Sequence, residues 1–235
     1  MKSDNPFLVI IPTFNEVENI SLLLDRVLNE VPKTDILVVD DNSPDGTADV
    51  VKKVSSANPR VHLLSREKKD GLARAYCAGF NWGLQQGYEY FIQMDADFSH
   101  DPMDAKIMTE RLLNHDVVIA SRYTKGGKTS GWGPHRKLIS RGGNTYARLI
   151  LGAGPKDITG GFNGWSKTAL EKIDFGSVHS KGYAYQVEMK YRALKAGFVP
   201  HEFPIHFRNR TRGESKMTSG IIFEAAYRVL LLKLG

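Results

Sequence analysis

Short apolar runs alternate with amphipathic segments through the first half of the chain. Five runs have the length and continuous hydrophobicity of buried strands, and the segments between them repeat apolar residues at helical spacing. Apolar strands separated by helices are typical of a parallel sheet covered on both faces. The predicted strands are 7–11, 35–40, 61–64, 90–94 and 116–120, and the predicted helices are 17–31, 46–55, 72–86, 102–114 and 220–234.

Length and composition agree with one α/β domain covering residues 1–235. Hydrophobic residues make up 41% of the chain and charged residues 25%, the balance of a globular protein with a sizeable core. No apolar run approaches the roughly 18–20 residues that cross a bilayer, and no signal peptide is visible. The single cysteine, Cys77, excludes an internal disulfide framework and suits a reducing cytoplasm.

Charge is divided unevenly along the chain. Residues 1–121 hold 12 Lys and Arg against 19 Asp and Glu, a net −7, whereas residues 122–235 hold 20 against 7, a net +13. The basic half therefore predicts an anionic partner, which the charge alone leaves open between nucleic acid, a membrane surface and a phosphorylated ligand.

Polar loops follow the predicted strands where a parallel sheet binds its ligand, beyond the carboxyl ends. The first strand is followed by PTFNE at 12–16, the second by DDNSPDGT at 40–47 and the fourth by DAD at 95–97, while Arg122 follows the fifth. Glycine-rich phosphate loops are missing, since neither GKT at 127–129 nor GAG at 152–154 completes a nucleotide-binding motif. Three acidic loops and one arginine are thus predicted to converge at one sheet edge.

Two carboxylates leave the fourth strand one residue apart. Asp95 and Asp97 would repel each other unless a cation lies between them or one is protonated. Mg²⁺ and Mn²⁺ favour a few carboxylate oxygens together with water and substrate phosphate, so the pair predicts a metal that holds a diphosphate. The alternative is a solvated turn that caps the next helix.

Other side chains suit a phosphorylated ligand. Asp41 and Glu16 are acceptors of the kind that bind ribose hydroxyls or base N–H groups, although the stretch 40–47 is also rich in turn-forming residues. Several cations of the second half lie in polar or turn-like contexts, where arginine recognises phosphate through two hydrogen bonds; individually, each is also explained as a solvated surface charge. They are Arg122, Arg136, Arg141, Arg210 and Lys216.

Nine motifs follow one another along the chain. They are IPTFNE at 11–16, VVDDNSPDGT at 38–47, REKKDGL at 66–72, MDADFSHDP at 94–102, SRY at 121–123, HRKLISRGGN at 135–144, DITGGF at 157–162, SKGYAYQVEM at 180–189 and RNRTRGESKM at 208–217. This ordered series resembles glycosyltransferase family 2 with the GT-A fold, and within it the polyprenyl- or dolichyl-phosphate mannosyltransferases. The fold that this resemblance implies is a Rossmann-like, mostly parallel sheet flanked by helices.

The resemblance implies a division of the chain into a nucleotide-sugar and metal half at 1–121, an acceptor half at 122–217 and a C-terminal apolar helix at 218–235. It implies a GDP-mannose nucleoside pocket, a diphosphate and Mg²⁺ or Mn²⁺ platform, an acceptor-phosphate site and two cations that close over the donor. Ser99 stands where some members have glutamine, and Asn209 where aspartate is frequent. By resemblance, the nucleoside pocket holds Pro12, Phe14, Glu16, Val39 and Asp41; the platform Asp95, Ala96 and Asp97, with Ser99 as a further metal ligand; the acceptor site Arg122, Arg136 and Ser140; and the closing cations are Arg210 and Lys216.

The implied reaction is an inverting transfer of mannose from GDP-mannose to a polyprenyl phosphate. The same transfer from UDP-glucose or another nucleotide sugar stays open, because Asp41 and Glu16 do not separate guanine from uracil. A basic nucleic-acid-binding module is the remote alternative, and the separate basic loops and acidic crevice argue against it. Two interpretations of the helix at 220–234 stay open. It is an interfacial helix that lies at the cytoplasmic face of a membrane or against a membrane-anchoring subunit, or it packs on the domain.

Overall fold

The protein folds around a seven-stranded sheet covered by helices on both faces. The structure is a computed structural model that describes residues 5–152, 154–178, 180, 182–209 and 219–234. The strands are β1 Phe7–Thr13, β2 Thr34–Asp40, β3 Val61–Ser65, β4 Tyr90–Gln93, β5 Val117–Ser121, β6 Lys128–Thr129, β7 Asn163–Ser166, β8 His201–Pro204 and β9 His206–Phe207. The sheet has the order β3-β2-β1-β4-β7-β5-β8, and β6 pairs with β9 in a separate two-stranded ribbon.

Helices occupy the positions that the apolar periodicity predicts in the first half. Two helices, one in each half of the chain, begin at side-chain caps: Asp101 accepts from the Met103 amide with Pro102 in the first turn, and Ser166 accepts from the Ala169 amide. The helices are α1 Val17–Glu30, α2 Thr47–Ala57, α3 Leu72–Gln86, α4 Pro102–Leu112, α5 Pro134–Leu151, α6 Lys167–Ile173, α7 Gly182–Lys195 and α8 Ser219–Leu234, with a 3₁₀ turn at Phe175–Ser177.

The core has two layers because β1, β2, β4 and β5 are apolar on both faces. In β1, Val9 and Ile11 pack on the side of α1 and α4, whereas Leu8 and Ile10 pack on the side of α3 and α7. A smaller cluster joins α5, α7 and α8 around Val229. This two-sided burial is the arrangement that a parallel sheet requires.

One strand departs from the predicted parallel order. β7 runs antiparallel between β4 and β5, while the other neighbours in the sheet pair in parallel. Asn163-Gly-Trp-Ser carries no apolar run, so its sequence gives no strand signal. The sheet is therefore mostly parallel, as the resemblance implies, and β7, which the pattern omits, is an interior strand of it.

The order of strands fixes where a ligand crevice opens. From β1 the chain builds outward through β2 to β3, and then returns to place β4 on the other side of β1. A crevice forms beyond the carboxyl ends of strands at such a switch of direction. The segments that follow Thr13 and Gln93 border this crevice.

Candidate active site

Hydrogen bonds that one buried carboxylate accepts join the ends of β1 and β2. Asp40 Oδ1 accepts from the Thr13 hydroxyl at 2.8 Å and from the Ser43 hydroxyl at 2.6 Å, and Asp40 Oδ2 accepts from the Ser43 amide at 2.9 Å. Asp45 similarly accepts from the Thr47 hydroxyl at 2.6 Å and from the Val17 amide at 3.1 Å. These carboxylates brace the loops, which explains the turn-forming composition of 40–47.

Asp41 is the carboxylate of this stretch that the structure places beside a cation. It is buried, and its Oδ1 accepts from Arg66 Nη1 at 2.7 Å. Burial raises the pKa of Asp41 and outweighs the opposing effect of Arg66. Phe14 directly follows β1, and Lys69 Nζ lies 3.7 Å from the centroid of its ring. The site therefore presents an aromatic face and an acceptor, each accompanied by a cation.

The other predicted nucleoside residues differ in what they expose. Glu16 is half-buried and accepts from Asn19 Nδ2 at 2.9 Å, and Pro12 is half-buried at the end of β1. Val39 is fully buried, and a Cβ on Gly79 would approach its Cγ2 to 3.3 Å. The Val39 side chain thus belongs to the core, and its main chain alone is left to border a ligand. The roles of these residues stay predictions.

The DAD segment forms a tight turn after β4. Asp97 Oδ1 accepts from the Ser99 amide at 3.0 Å, and Phe98 between them has a φ of 59°. A left-handed phenylalanine is uncommon and marks a backbone held in place by its surroundings. Ala96, Asp97 and Ser99 are buried, whereas the side chain of Asp95 keeps a third of its surface exposed.

A buried histidine supports this turn. His100 Nδ1 accepts from the Asp95 amide at 3.1 Å, and its ring stacks on Phe162 at 4.6 Å. Because Nδ1 accepts, the proton of a neutral ring is assigned to Nε2, which lies 4.0 Å from Asp95 Oδ2. Burial lowers the pKa of His100, so the neutral ring is favoured. Tyr76 adds a hydroxyl that donates to Asp95 Oδ1 at 3.4 Å.

The oxygen atoms of this turn fit a small divalent cation. The buried Ser99 hydroxyl has no hydrogen-bond partner among the described residues, and it stands two positions after Asp97. No three His, Cys, Asp or Glu side chains group as metal ligands in the described part of the chain. A site for Mg²⁺ or Mn²⁺ does not need three, because these ions keep water and substrate phosphate oxygens among their ligands. Asp95, Asp97 and Ser99 therefore provide a suitable hard-oxygen donor set.

Arg122 is held by a carboxylate that the sequence reasoning did not single out. Its Nε donates to Asp157 Oδ2 at 2.7 Å and its Nη2 to Asp157 Oδ1 at 2.6 Å, while Nη2 also reaches the Thr159 hydroxyl at 3.1 Å. Burial opposes ionisation of Asp157, but the guanidinium prevails and its pKa is lowered. The pair is thus an ion pair that orients Arg122 at the end of β5.

The loop at 157–162 connects this ion pair with the carboxylates after β4. Lys190 of α7 is fully buried and donates to the carbonyls of Ile158 at 3.1 Å and Gly160 at 2.6 Å. Burial lowers the pKa of Lys190 to about 7. At the end of the loop, a Cβ built on Gly161 would lie 3.9 Å from Asp95 Oδ2. The loop therefore extends from Arg122 to Asp95, and the hydrogen bonds from Lys190 hold its backbone in place.

The remaining predicted acceptor residues lie on α5. Ser140 accepts from the Tyr123 hydroxyl at 2.7 Å. Arg136 donates to Asn209 Oδ1 at 3.0 Å and lies over the Trp132 ring at 4.4 Å. Arg210 and Lys216 fall outside the described residues.

Comparison with known proteins identifies the family. The family model described as "Glycosyl transferase family 2" matches residues 8–174, which run from β1 to the end of α6 and include the DAD turn. The chain belongs to glycosyltransferase family 2.

Two curated relatives resemble this glycosyltransferase over nearly its whole length. An undecaprenyl-phosphate mannosyltransferase from Micrococcus luteus is 46% identical over 222 residues, which cover 94% of this chain and 91% of the relative. A polyprenol monophosphomannose synthase from Mycolicibacterium smegmatis is 45% identical over 224 residues, covering 94% of this chain and 84% of the relative.

Solved structures confirm the GT-A fold of this glycosyltransferase. Glucosyl-3-phosphoglycerate synthase from Mycobacterium tuberculosis, in complex with Mn²⁺, UDP and glucosyl-3-phosphoglycerate, has a TM-score of 0.66 at 17% identity and covers 99% of this chain and 80% of its own. The mannosyltransferase PcManGT from Pyrobaculum calidifontis, in complex with GDP-mannose and Mn²⁺, has a TM-score of 0.57 at 16% identity, with coverages of 97% and 73%.

Several residues of this glycosyltransferase site could have been suspected from the sequence. Asp157 stands in DITGGF, and Gln186 and Lys190 are four residues apart in or beside YQVEM, a spacing that places them on one helix face. His100 follows DAD closely. Their partners come from distant strands and loops, so only the fold assigns them to the site.

Proposed function

We propose that this family 2 glycosyltransferase transfers mannose from GDP-mannose to a polyprenyl phosphate, with inversion at the anomeric carbon, to give a polyprenyl β-mannosyl phosphate. The observation that carries the proposal is the 46% identity to an undecaprenyl-phosphate mannosyltransferase over 94% of the chain. Its site geometry agrees, because the 157–162 loop contacts Arg122 after β5 through Thr159 and approaches Asp95 after β4 at Gly161.

The donor is assigned to the crevice at the ends of β1, β2 and β4. Phe14 offers a ring face to the base, and Asp41 and Glu16 offer acceptors to N–H or ribose hydroxyl groups. Asp95, Asp97 and Ser99 would hold Mg²⁺ or Mn²⁺. A divalent cation bound there supplies positive charge beside the departing diphosphate. The crystal of PcManGT with GDP-mannose and Mn²⁺ supports this pairing of donor and metal within the fold.

The acceptor is assigned to the cations after β5 and on α5. Arg136 and Ser140 would hold the lipid phosphate, and Arg122 would add its charge from the side of the 157–162 loop. A phosphate oxygen is already anionic at neutral pH, so it attacks the anomeric carbon without a strong general base. The bond from that carbon to the GDP oxygen breaks, and its electron pair leaves with GDP. Attack from the opposite face inverts the configuration.

A membrane surface is the natural source of a polyprenyl phosphate. No helix in the described part of the chain has both the length and the apolar character to cross a bilayer. α8 packs on the domain through Val229, and the carbonyl of its Ala226 accepts from the Tyr146 hydroxyl, yet Tyr227 and Leu234 stay exposed. We propose that this exposed face, together with Leu149 of α5, lies against the membrane. A membrane-anchoring subunit and the cytoplasmic face stay predictions.

A lipid-transfer assay tests the reaction. Protein, labelled GDP-mannose, Mg²⁺ or Mn²⁺ and a polyprenyl phosphate are expected to give a lipid-extractable product that mild acid cleaves. A parallel arm with UDP-glucose tests the other donor, and labelling in that arm alone would overturn the choice of GDP-mannose. Folded protein that labels no lipid with either donor would refute the proposed reaction.

Sedimentation with vesicles tests the membrane contact separately. Binding to vesicles that contain anionic lipid is expected to weaken several-fold when Leu234 and Tyr227 are replaced by serine. Leu113→Ser, which changes an exposed leucine directly after α4, is the matched control. Equal sedimentation of all three proteins would contradict the proposed surface.

A further inference from the structure

The side-chain amide of Gln186 lies beneath the 157–162 loop with a fixed orientation. The Trp165 indole N–H, which can only donate, bonds Gln93 Oε1 at 2.9 Å. Gln93 Oε1 also accepts from Asn163 Nδ2 at 3.2 Å, and Asn163 Nδ2 in turn donates to Gln186 Oε1 at 2.9 Å. Turning any one of these amides over would place like groups together. This series of hydrogen bonds therefore assigns Oε1 to the side of the Gln186 amide that faces Asn163, and the other amide atom is Nε2, a donor.

This donor has nothing to bind within the described residues. Only 3% of the surface of Gln186 is exposed, and its Nε2 has no hydrogen-bond partner among the described residues. Leaving a buried donor unsatisfied costs roughly 1–3 kcal/mol, and native proteins avoid it except where a ligand or a functional group completes the bond. The bonds that hold Oε1 thus hold Nε2 in a position where no described residue accepts its hydrogen bond.

Nε2 lies beside Gly161, a residue of the candidate site that has no side chain. A Cβ built on Gly161 would lie 3.8 Å from Gln186 Nε2, 3.9 Å from Asp95 Oδ2 and 4.0 Å from His100 Cε1. A donor and a carboxylate acceptor therefore flank Gly161 from two sides. The Gly160 carbonyl, bonded by Lys190 and by Asn163 Nδ2, keeps this glycine in place.

We propose that Gln186 is a sugar-positioning residue, and that Nε2 and Asp95 together bind hydroxyl groups of the transferred hexose over Gly161. A hydroxyl both donates and accepts, so it satisfies an amide donor and a carboxylate placed side by side. A phosphate oxygen has no proton to donate to Asp95 and is repelled by it. The inference rests on the proposed donor, a nucleotide sugar, and adds the contact that recognises its sugar.

Gly161→Ala is the first test, because it adds a methyl group where the sugar would sit. The three nearest atoms are at ordinary contact distance and Gly161 has no positive φ, so the variant is expected to fold. Affinity for GDP is expected to stay unchanged, while affinity for GDP-mannose falls roughly tenfold or more, about the loss of one or two hydrogen bonds. Gly176→Ala, whose Cβ meets one atom at 3.9 Å, is the matched control.

Gln186→Glu is the second test, because it keeps an oxygen for Asn163 and replaces the donor by an acceptor. It is expected to lower affinity for GDP-mannose and leave GDP binding intact. GDP-mannose analogues that each lack one hydroxyl complete the measurement: one analogue should bind wild type more weakly than GDP-mannose, and this difference should vanish in Gly161→Ala.

The outcomes separate the two proposals. Wild type that transfers mannose and a Gly161→Ala variant with an unchanged ratio of GDP-mannose to GDP affinity would overturn the sugar contact alone. Parallel loss of both affinities would also overturn it, since that pattern is a structural defect. Folded wild type that binds no nucleotide sugar and labels no lipid with either donor would overturn both proposals.

Discussion

Arg122 and Asp157, 35 residues apart in the chain, meet through two side-chain hydrogen bonds of 2.7 and 2.6 Å. Asp157 has no exposed surface and Arg122 keeps 11% of its side-chain surface. A charge pair buried to this degree is costly to break from one side, because the remaining charge is left without compensation. The pair therefore fixes the 157–162 loop relative to the end of β5.

Asp157→Asn is expected to lower the free energy of unfolding by about 3 kcal/mol, since Arg122 would keep its charge without the carboxylate. The pKa of Asp157 is lower in the folded state, so its contribution is complete above the ordinary carboxyl pKa and declines as the pH falls toward the folded value. Urea unfolding at pH 7 and pH 3 measures both effects. A difference between wild type and variant that is equal at both pH values would contradict the ion pair.

Asp97→Asn is expected to lower mannosyl transfer at least a hundredfold, because the carboxylate charge next to the proposed metal is lost. Asparagine keeps an oxygen for the Ser99 amide, so the turn should survive. Asp49→Asn, at an exposed carboxylate on α2, serves as the control and should retain full activity. An active Asp97→Asn enzyme would remove the metal platform from the proposed mechanism.

Ser99→Ala separates a metal ligand from a structural hydroxyl. Its Oγ is buried without a partner among the described residues, so its removal should leave the free energy of unfolding unchanged or raise it by up to about 1 kcal/mol. If Oγ binds the metal, the affinity for Mn²⁺ in the presence of GDP should fall several-fold. Calorimetric titration measures that affinity, and Mn²⁺ binding equal to wild type would exclude Ser99 as a ligand.

Lys190→Met tests the buried lysine through pH. The pKa of Lys190 is about 7 in the folded protein and 10.5 as an ordinary value, so between these values the unfolded chain binds the extra proton. Wild-type stability therefore rises with pH in this window, by at most about 1.4 kcal/mol per unit, and methionine removes the effect. The free energy of unfolding of wild type, minus that of the variant, should therefore be larger at pH 9.5 than at pH 7.5. A constant difference would show that Lys190 does not titrate there.

Gly79→Ala tests the close approach of α3 to the sheet. A Cβ there would lie 2.6 Å from Ile10 Cγ2, so the helix or the strand must shift, at a cost of about 1–3 kcal/mol. Gly143→Ala on the exposed surface of α5 meets no atom within 4 Å and should stabilise by up to about 1 kcal/mol. Thermal unfolding of both variants checks the opposite signs; a stable Gly79→Ala protein would contradict the packing.

The sequence predicts the first half of the fold well because local pattern and tertiary burial agree there. The bounds of α3 coincide with the prediction, and β1, β2 and α1 differ from it by one or two residues. β7 escapes prediction because Asn163 and Gly164 take their place in the sheet from neighbours, not from their own strand propensity. The same holds for β8 and β9, which are short.

The candidate site divides in a similar way. Asp95 and Asp97 can be predicted from the sequence because their spacing after an apolar strand is a local signal. Asp157 and Gln186 become meaningful only beside Arg122 and Gly161, and the fold alone makes these neighbours. Sequence reasoning therefore finds residues that act through local spacing, and it misses those that act through contacts across the sheet.

The position of β7 between β4 and β5 also constrains the order in which the chain folds. Strands β1 to β4 come from residues 7–93 and pair with one another. Among the strands that the structure describes, β5 is joined to them in the sheet by β7 alone, which the chain reaches at residue 163. Closing that long loop precedes any gain from the pairing. We expect β1 to β4 to become protected from hydrogen exchange first, and β5 and β8 to follow when β7 inserts. The sheet would thus form in two stages, and the proposed donor and acceptor sites would be completed one after the other.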